Sequence, residues 1–579
     1  MKSTRRFSVQ ARALSACAPR LWLALATLAA LGAGAAHAAD APLSHNDPSR
    51  ITPGPPAPAP SAPLALSAGA PALAPQDVAP RFLLRDVRFE GASALPQARL
   101  RPAWAGLAGK SVSLADLRAI GRQAEAIYAE SGYPFVAVLL KVQEVEDGVV
   151  HFDVVEGRIT DLTIIGSDPV ARRQASAMLQ PLVNRAPLSL GEVEGDYELG
   201  RKVPGLSISG ALRRGEKAGG MDLVVAARRE TWRAYANVNN LYANAVGPWG
   251  VLVGGDYYGA SQYGDTTSLE AYTSIPFGRQ ELVRASHSQG LDSQGLTAAI
   301  SGLWGHAAPK GDLANLQLAT DIEALRLEAS QPLWVRHNGT VVATVAFDAS
   351  DQRTLTAHTT TLSDDRLRTL SGSLAGELTG RMGRIAANIE VRKGEDFAGA
   401  RHEGDTGDPE AFVFRGGLEA QSAPFAHVQL ALRIDAQQSD DTLTPPDKYS
   451  VGNLSIGRGY QPGLALGDSA LGGAFEARGG PFPIGARLTA QPFAFVDDVR
   501  LWNNGVATVN ARTLTSLGGG VRLQVAGKFN LELTYAAPQQ APLGLGDKRP
   551  GPTVLFNMTV GLNDAFAAIH RKLAAEAKK

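Results

Sequence analysis

Between Arg229 and Phe566, apolar residues recur at every second position with polar or small residues between them. Trp232, Ala234, Ala236 and Val238 interleave with Arg233, Tyr235 and Asn237, and Val428, Leu430, Leu432 and Ile434 with Gln429, Ala431, Arg433 and Asp435. Val521, Leu523 and Val525 alternate with Arg522, Gln524 and Ala526; Val554, Phe556, Met558, Val560 and Leu562 alternate with Leu555, Asn557, Thr559, Gly561 and Asn563. A period of two puts successive side chains on opposite faces of a strand. One face is largely apolar, and the other carries Gly, Asn, Gln, Thr and Arg, as the wall of a wet lumen does. A soluble β-sandwich shares the alternation, so the polar face and the leader described below decide between them. At roughly 20 to 22 residues per strand and connection, the stretch predicts a closed antiparallel barrel of about 16 strands, an even number. Closure is needed because lipid leaves no backbone group a partner outside the sheet.

Ahead of this stretch the pattern is mixed. Phe82–Phe89 reads as a strand turned by Glu90-Gly91, followed by a helical region. Ser113 then caps a helix carrying Leu117, Ile120, Ala124, Ile127 and Tyr128 at helical spacing. Strands at Phe135–Leu140 and Val149–Gly157 complete a small α+β unit. A second unit follows, with a strand at Ile159–Gly166, helices at Val170–Leu182 and Leu190–Gly200, and a closing pair at Leu206–Leu212 and Met221–Ala227. Phe89-Glu90-Gly91 and Ile164-Ile165-Gly166 sit at equivalent points of a repeat of roughly 75 residues. The predicted units span 81–157 and 158–228, and the barrel 229–566.

The first 20 residues hold Lys2, Arg5, Arg6, Arg12 and Arg20 without an acid, and an apolar run from Leu21 to Ala36 ends in Ala36-His37-Ala38. This is the layout of a cleaved secretory signal over residues 1–38. The run is about 16 residues long, short of the roughly 20 that cross a bilayer. Residues 39–80 form a linker with 11 prolines between Ala41 and Pro80, which predicts an extended tether with no core. Residues 567–579 make a helix-prone tail, basic at Arg571, Lys572, Lys578 and Lys579.

Composition sharpens this picture by exclusion. The 56 basic and 56 acidic residues balance, but five of the basic ones leave with the signal, so the mature chain is mildly acidic and lacks the basic excess of a nucleic-acid binder. The single Cys, Cys17, leaves too, which excludes a disulfide framework and any multi-cysteine zinc site. The mean hydropathy of −0.07 argues against a helical membrane bundle and is silent on barrels. No His-Glu-x-x-His pair, Gly-x-Ser-x-Gly elbow or Walker loop occurs, and Ser516-Leu517-Gly518-Gly519-Gly520 precedes a strand instead of opening a helix. No enzyme, metal or cofactor chemistry is indicated.

Two short motifs narrow the reading. Gly457-Arg458-Gly459-Tyr460 lies in a Gly- and Pro-rich loop, and Phe493-Ala494-Phe495-Val496-Asp497-Asp498 lies on a strand-like run downstream. Placed after two α+β units, the pair resembles the signature of two-partner secretion transporters, the TpsB family of hemolysin secretion/activation proteins, and the two units resemble POTRA domains. That resemblance implies type V protein transport across the outer membrane, with the POTRA domains in the periplasm. Their exposed sheet edges would receive extended client segments by strand addition. The implied partner is a secreted exoprotein, taken unfolded and moved outward without ATP, and the barrel would meet outer-membrane lipids and the barrel-assembly machinery.

The resemblance also implies that Gly457–Tyr460 forms the tip of the sixth extracellular loop, folded back into the lumen. Arg458 would there meet an acid within a Phe-x-Asp motif, by residue type Phe495 and Asp497. Arg presents a planar fork that a carboxylate meets bidentately. Asp498 competes with Asp497, because neighbours on a strand face opposite sides. An acid facing lipid is costly, so one of the two belongs near an interface or a bulge. Three features depart from the family pattern. Gly457 stands where an aliphatic residue is usual, which predicts a looser tip. The linker is too rich in proline to supply a pore-plugging helix, and the chain continues past Phe566, where such barrels commonly end on an aromatic. Two alternatives are an outer-membrane assembly or insertion factor of the same superfamily, against which two POTRA units lean, and a passive porin with periplasmic binding modules.

Overall fold

The computed structural model describes residues 65–66, 81–310, 315, 317–357, 360–403, 407–505, 511–525, 529–542 and 548–563. The predicted signal, most of the linker, Phe566 and the basic tail lie outside the described residues.

In the linker, Ala65–Leu66 forms β1. In the first unit, β2 (Phe82–Leu83) pairs with β4 (Ser111–Val112), and β3 (Asp86–Glu90) runs parallel to β6 (Val149–Val155), which pairs antiparallel with β5 (Ala137–Leu140). A short α1 (Gln97–Leu100) precedes α2 (Leu114–Glu130). The start of α2 is a capping box: the Ser113 hydroxyl accepts from the Asp116 N–H at 3.3 Å while the Asp116 carboxylate accepts from the Ser113 N–H at 2.8 Å. Leu117, Ile120, Ala124 and Tyr128 of α2 pack with Phe89, Val150 and Phe152 of the sheet. The strand predicted over Phe82–Phe89 is broken in two. Leu84 is fully buried, and the N–H groups of Arg85 and Asp86 turn to the Gly148 carbonyl, which moves the chain from β4 to β6. β5 starts at Ala137, since Phe135 packs against the core of the second unit.

The second unit contains β7 (Arg158–Ile165), α3 (Pro169–Leu179), α4 (Leu190–Arg201), β8 (Leu206–Arg214) and β9 (Gly220–Arg229), with its sheet in the order β1-β8-β9-β7. Asp168 caps α3 through the N–H groups of Val170 and Ala171, and a Ser189–Glu192 box caps α4. Ala171, Met178, Leu179, Val193 and Tyr197 close over Ile208, Leu212, Leu223 and Val225.

Sixteen long strands form the barrel wall. They are β10 (Trp232–Asn239), β11 (Trp249–Tyr258), β12 (Asp265–Ile275), β13 (Gln280–Gly290), β14 (Thr297–Ala307), β15 (Ala319–Arg336), β16 (Gly339–Thr356), β17 (Thr360–Gly380) and β18 (Gly383–Gly394). After a short β19 (Arg401–Glu403) the wall continues as β20 (Phe412–Ser422), β21 (Val428–Gln438), β24 (Ser469–Gly479), β26 (Leu488–Trp502), β27 (Ala511–Val525), β28 (Phe529–Pro538) and β29 (Thr553–Gly561). Two short strands, β22 (Tyr449–Ser450) and β23 (Leu466–Gly467), belong to a loop, and β25 (Phe482–Ile484) extends a turn. Antiparallel pairing of β10 with β29, Tyr235 opposite Gly561 through Asn239 opposite Asn557, closes the ring.

The second unit sits against the turns at one end of this barrel. The Glu194 carboxylate of α4 lies 3.1 Å from His337 Nδ1 in the β15–β16 turn, and the Lys202 ammonium donates to the Thr340 hydroxyl. Arg173 and Gln174 of α3 donate to the carbonyls of Ala260 at 2.6 Å and Ser261 at 2.9 Å in the β11–β12 turn. The outer face carries exposed Trp232, Val253, Leu269, Leu327, Phe475 and Val554, whereas Tyr235, Asn237 and Asn239 face inward and are buried.

Candidate functional site

One strand breaks the rule of a polar interior. In β26 the inward series is Phe493, Phe495, Asp497, Val499 and Leu501, all buried, and the outward series includes Ala494, Val496, Asp498 and Arg500. The inward face of this wall segment is therefore mostly apolar, unlike the polar interior of the other strands. What covers the inner face is the loop between β21 and β24, residues 439–468, the sixth at the end of the barrel away from the α+β units.

The loop has a small core of its own. Tyr449, Val451, Ile456 and Tyr460 pack with Ala470, Val499, Leu501 and Leu514 of the wall. The Tyr460 hydroxyl donates to the Thr515 carbonyl at 3.0 Å and accepts from the Gln540 N–H at 3.1 Å. On the opposite side Leu454 packs against Tyr235, Tyr242, Leu252, Tyr272 and Leu282 from the first strands of the barrel, and Asn453 donates to the Leu241 carbonyl at 3.2 Å. The loop therefore spans the lumen from one wall to the other.

At its tip Gly457 and Gly459 both have left-handed backbones, φ 111° and 92°, a conformation open to Gly and strained for other residues. This turn aims successive N–H groups at the wall: those of Gly457 and Arg458 donate to Asp497 Oδ2 at 3.3 and 2.9 Å. The Arg458 side chain adds a fork, Nε to Oδ2 at 3.0 Å and Nη2 to Oδ1 at 2.7 Å. Asp497 is 1% exposed and thus accepts four bonds. The tip is not loosened by Gly457, which is itself held by the acid, while Ile456 supplies the buried aliphatic contact one position earlier. Asp498 faces outward and accepts from the Thr515 hydroxyl at 2.5 Å, four residues from the strand end at Trp502 and without a bulge in either flanking ladder. Its outward neighbour Arg500 lies over the Trp502 ring, as suits a rim.

Five residues of the site escaped the sequence reading. Glu476 on β24 accepts from Arg458 Nη1 at 2.8 Å, from Arg522 Nη1 at 2.6 Å and from Arg478 Nε at 2.6 Å, and Arg522 also reaches Glu532 at 2.7 Å. The guanidinium carbon of Arg458 stands 3.5 Å from the centre of the Phe495 ring, and that of Arg522 4.2 Å from the Phe493 ring, close enough for cation–π attraction. Gly518, inside β27, completes the arrangement: a Cβ there would lie 2.6 Å from the Phe495 ring and 2.1 Å from the Tyr535 carbonyl. The Gly-rich run is a seat for the aromatic rings. Its signal was the register of three glycines against Phe493-Ala494-Phe495, which only the pairing reveals.

A second anchor holds the base of the loop. The Asp447 carbonyl accepts from Gln437 Nε2 at 3.0 Å and Arg415 Nη2 at 3.1 Å, while its carboxylate lies 3.7 Å from both Arg392 and Arg415. Asp468, fully buried, accepts from the Leu443 N–H at 2.9 Å, the Asn504 N–H at 2.7 Å and Lys448 Nζ at 2.7 Å.

Three comparisons agree with this geometry. Residues 82–157 match the family described as POTRA domain, ShlB-type. The heme/hemopexin transporter protein HuxB of Haemophilus influenzae is 21% identical over 478 residues, covering 76% of this chain and 80% of that protein. CdiB from Escherichia coli superposes with a TM-score of 0.72 at 18% identity, covering 86% of this chain and 94% of its own, and CdiB from Acinetobacter baumannii with 0.62 at 13% identity over the same shares. The matched domain makes residues 82–157 POTRA-like, and the closed barrel behind two α+β units has the fold of the CdiB structures, so the chain is similar to outer-membrane transporters of the two-partner secretion, TpsB, type.

Proposed function

We propose that the protein exports a partner protein through its barrel and that the loop 439–468 is the element that yields during passage. The observation that carries this reading is the Arg458–Asp497 contact: the loop crossing the lumen is held at its tip by ionic and hydrogen bonds, which exchange without breaking the wall. In this reading residues 1–38 are a cleaved signal, 39–80 a tether, 81–157 and 158–228 the two periplasmic units that collect the partner, 229–566 the barrel and 567–579 a tail. The partner passes unfolded, because a lumen shared with the loop admits an extended chain more readily than a domain. Its folding outside biases the direction without a nucleotide, and the chain has no catalytic activity of its own. The outer face rests in outer-membrane lipid after delivery by the barrel-assembly machinery. The HuxB relatives are named for heme/hemopexin; for this chain the cargo class is a secreted exoprotein.

The test is secretion by Arg458→Ala and Asp497→Ala strains whose barrels remain heat-modifiable on gels. Each variant is expected to lower the exoprotein in the medium at least tenfold, and unchanged secretion by both overturns the reading. Loss of many outer-membrane proteins in a deletion strain, in place of one exoprotein, would favour an assembly factor.

A further inference from the structure

Glycine is the poorest helix former after proline, because it gives up the most backbone freedom on folding. α4 nevertheless carries three, Gly191, Gly195 and Gly200, in 12 residues. Gly200 is explained inside its own unit, where a Cβ would stand 3.1 Å from the Ile208 side chain and 3.6 Å from that of Met178. Gly191 and Gly195 are not. They lie four apart on one face of the helix, and what their missing side chains make room for belongs to the barrel. A Cβ on Gly191 would stand 3.2 Å from Arg336 Nη2 and 3.3 Å from its Cζ and Nε, and one on Gly195 3.2 Å from both Arg336 Nη1 and the Val335 carbonyl. The guanidinium thus lies in a slot across α4. Arg336 is the last residue of β15, paired with Gly339 across the His337-Asn338 turn, and its Nη1 donates to the Val335 carbonyl at 2.8 Å. The slot also has a charge beside it. Burial pushes the Asp196 carboxyl of α4 above its usual range, against the pull of the Arg185 and Arg336 guanidiniums.

We infer that Arg336 is the positioning residue of the periplasmic units: its guanidinium seats in the Gly191–Gly195 slot of α4 and so sets where both units stand over the mouth of the barrel. Both units are set because α4 is tied to the first as well. The Leu190 N–H, at the start of α4, donates to the Gly132 carbonyl of the first unit at 2.9 Å, and Phe135 of that unit packs on the core to which Val193 and Tyr197 of α4 belong. One side chain of the barrel therefore fixes a helix that both units share. A guanidinium is flat and rigid, which suits a slot floored by bare helix backbone, whereas the ammonium of Lys is compact and keeps its water. The neighbouring Glu194–His337 pair is a lesser hold, since the His337 side chain is 59% exposed and exposed ion pairs contribute little. The slot is inferred from the geometry alone; its consequence for export rests on the transport reading. There, a partner collected by the units reaches the lumen from a fixed place, and units that swing free present it elsewhere.

The experiment uses the full-length protein, whose one native Cys lies in the predicted signal. In a Glu194→Cys/His337→Cys background, the rate of disulfide closure in isolated outer membranes reports the seat. Adding Gly195→Leu fills the slot with a better helix former, so the unit is expected to keep its protease resistance while closure slows at least tenfold. An unchanged rate overturns the seat. Arg336→Ala is expected to slow closure as much, and Arg336→Lys to recover less than a third of the original rate; full recovery by Lys overturns the slot as the reason. Gly195→Leu with Arg336→Ala is expected to be no slower than the worse single variant, and additive slowing overturns the pairing of the two positions. None of these readouts contains a partner, so they stand apart from the transport reading. Export by Gly195→Leu is then expected to fall at least tenfold with the amount of barrel unchanged, and closure of the 194–337 disulfide to restore it to within threefold. Undiminished export, or a fall that the disulfide does not repair, overturns the positioning role.

Discussion

The tip and the base of the lumenal loop are both held by acids, yet the two grips differ in kind. At the tip the grip is a side-chain fork: Arg458 meets Asp497 at 2.7 and 3.0 Å and lies on Phe495. At the base the Asp447 carboxylate stays 3.7 Å from its two guanidiniums, and the direct bonds run to its backbone carbonyl. The fork rests on one guanidinium and one carboxylate, whereas the base spreads its bonds over the Asp447 carbonyl, held by Arg415 and Gln437, and the buried Asp468 carboxylate, held by Leu443, Lys448 and Asn504. The contrast teaches that the tip is built to be specific and releasable and the base to stay.

The strongest way to break this comparison is at the tip. Arg458→Ala leaves Asp497 buried with two amide donors and no counter-charge, and uncovering such a pair costs about 3–5 kcal/mol. Single-channel conductance in planar bilayers is expected to shift from mostly closed to mostly open, and Arg458→Ala/Asp497→Ala to be no more open than the worse single variant. Additive effects would show the two residues to be independent. Next comes Gly518→Ala, which touches no charge but drives a methyl into the Phe495 ring. Overpacking of this kind costs roughly 1–3 kcal/mol, so openings are expected to be more frequent than in the wild type and fewer than in Arg458→Ala. Asp447→Ala keeps the bonds to its backbone carbonyl and leaves Glu390 beside both guanidiniums, so it is expected to change open probability less than Arg458→Ala; an equal effect would abolish the distinction between tip and base. Smallest of all, Asp498→Asn is expected to leave conductance and secretion unchanged, since among the described residues the outward acid bonds only the Thr515 hydroxyl.

Where physics is local the chain could be read without a structure. Period two along Val428–Asp435 and Val554–Asn563 places the lipid face correctly, and Ser113 marks a helix start because a cap is a contact over three residues. The Arg458–Asp497 pairing was reachable only by resemblance, and the choice against Asp498 needed the strand's facing. Glu476, Arg522 and Gly518 were not legible. Their roles depend on β24, β26 and β27 lying side by side with Glu476 opposite Phe495 and Gly518 opposite Phe495, and no single stretch encodes that register. The break between β2 and β3 was hidden for a similar reason: a run of β-prone residues does not announce a change of partner. The linker misled most. Composition reads it as a featureless tether, yet Ala65–Leu66 joins a sheet, since a few residues free of proline suffice to pair with a waiting edge.

The apolar series Phe493, Phe495, Val499 and Leu501 has a consequence once the loop is withdrawn. In the proposed export the cover of Val499 and Leu501 by Tyr449, Val451, Ile456 and Tyr460, and of the Phe495 ring by Arg458, leaves with the loop, and oily side chains are bared along one side of an otherwise wet channel. Burying apolar surface is favourable by about 25 cal/mol per Å² without regard to sequence. Any extended chain threading past offers such surface at irregular intervals, so the bared side gives traction to every passing segment and a firm hold to none, the property a conveyor of unrelated sequence requires.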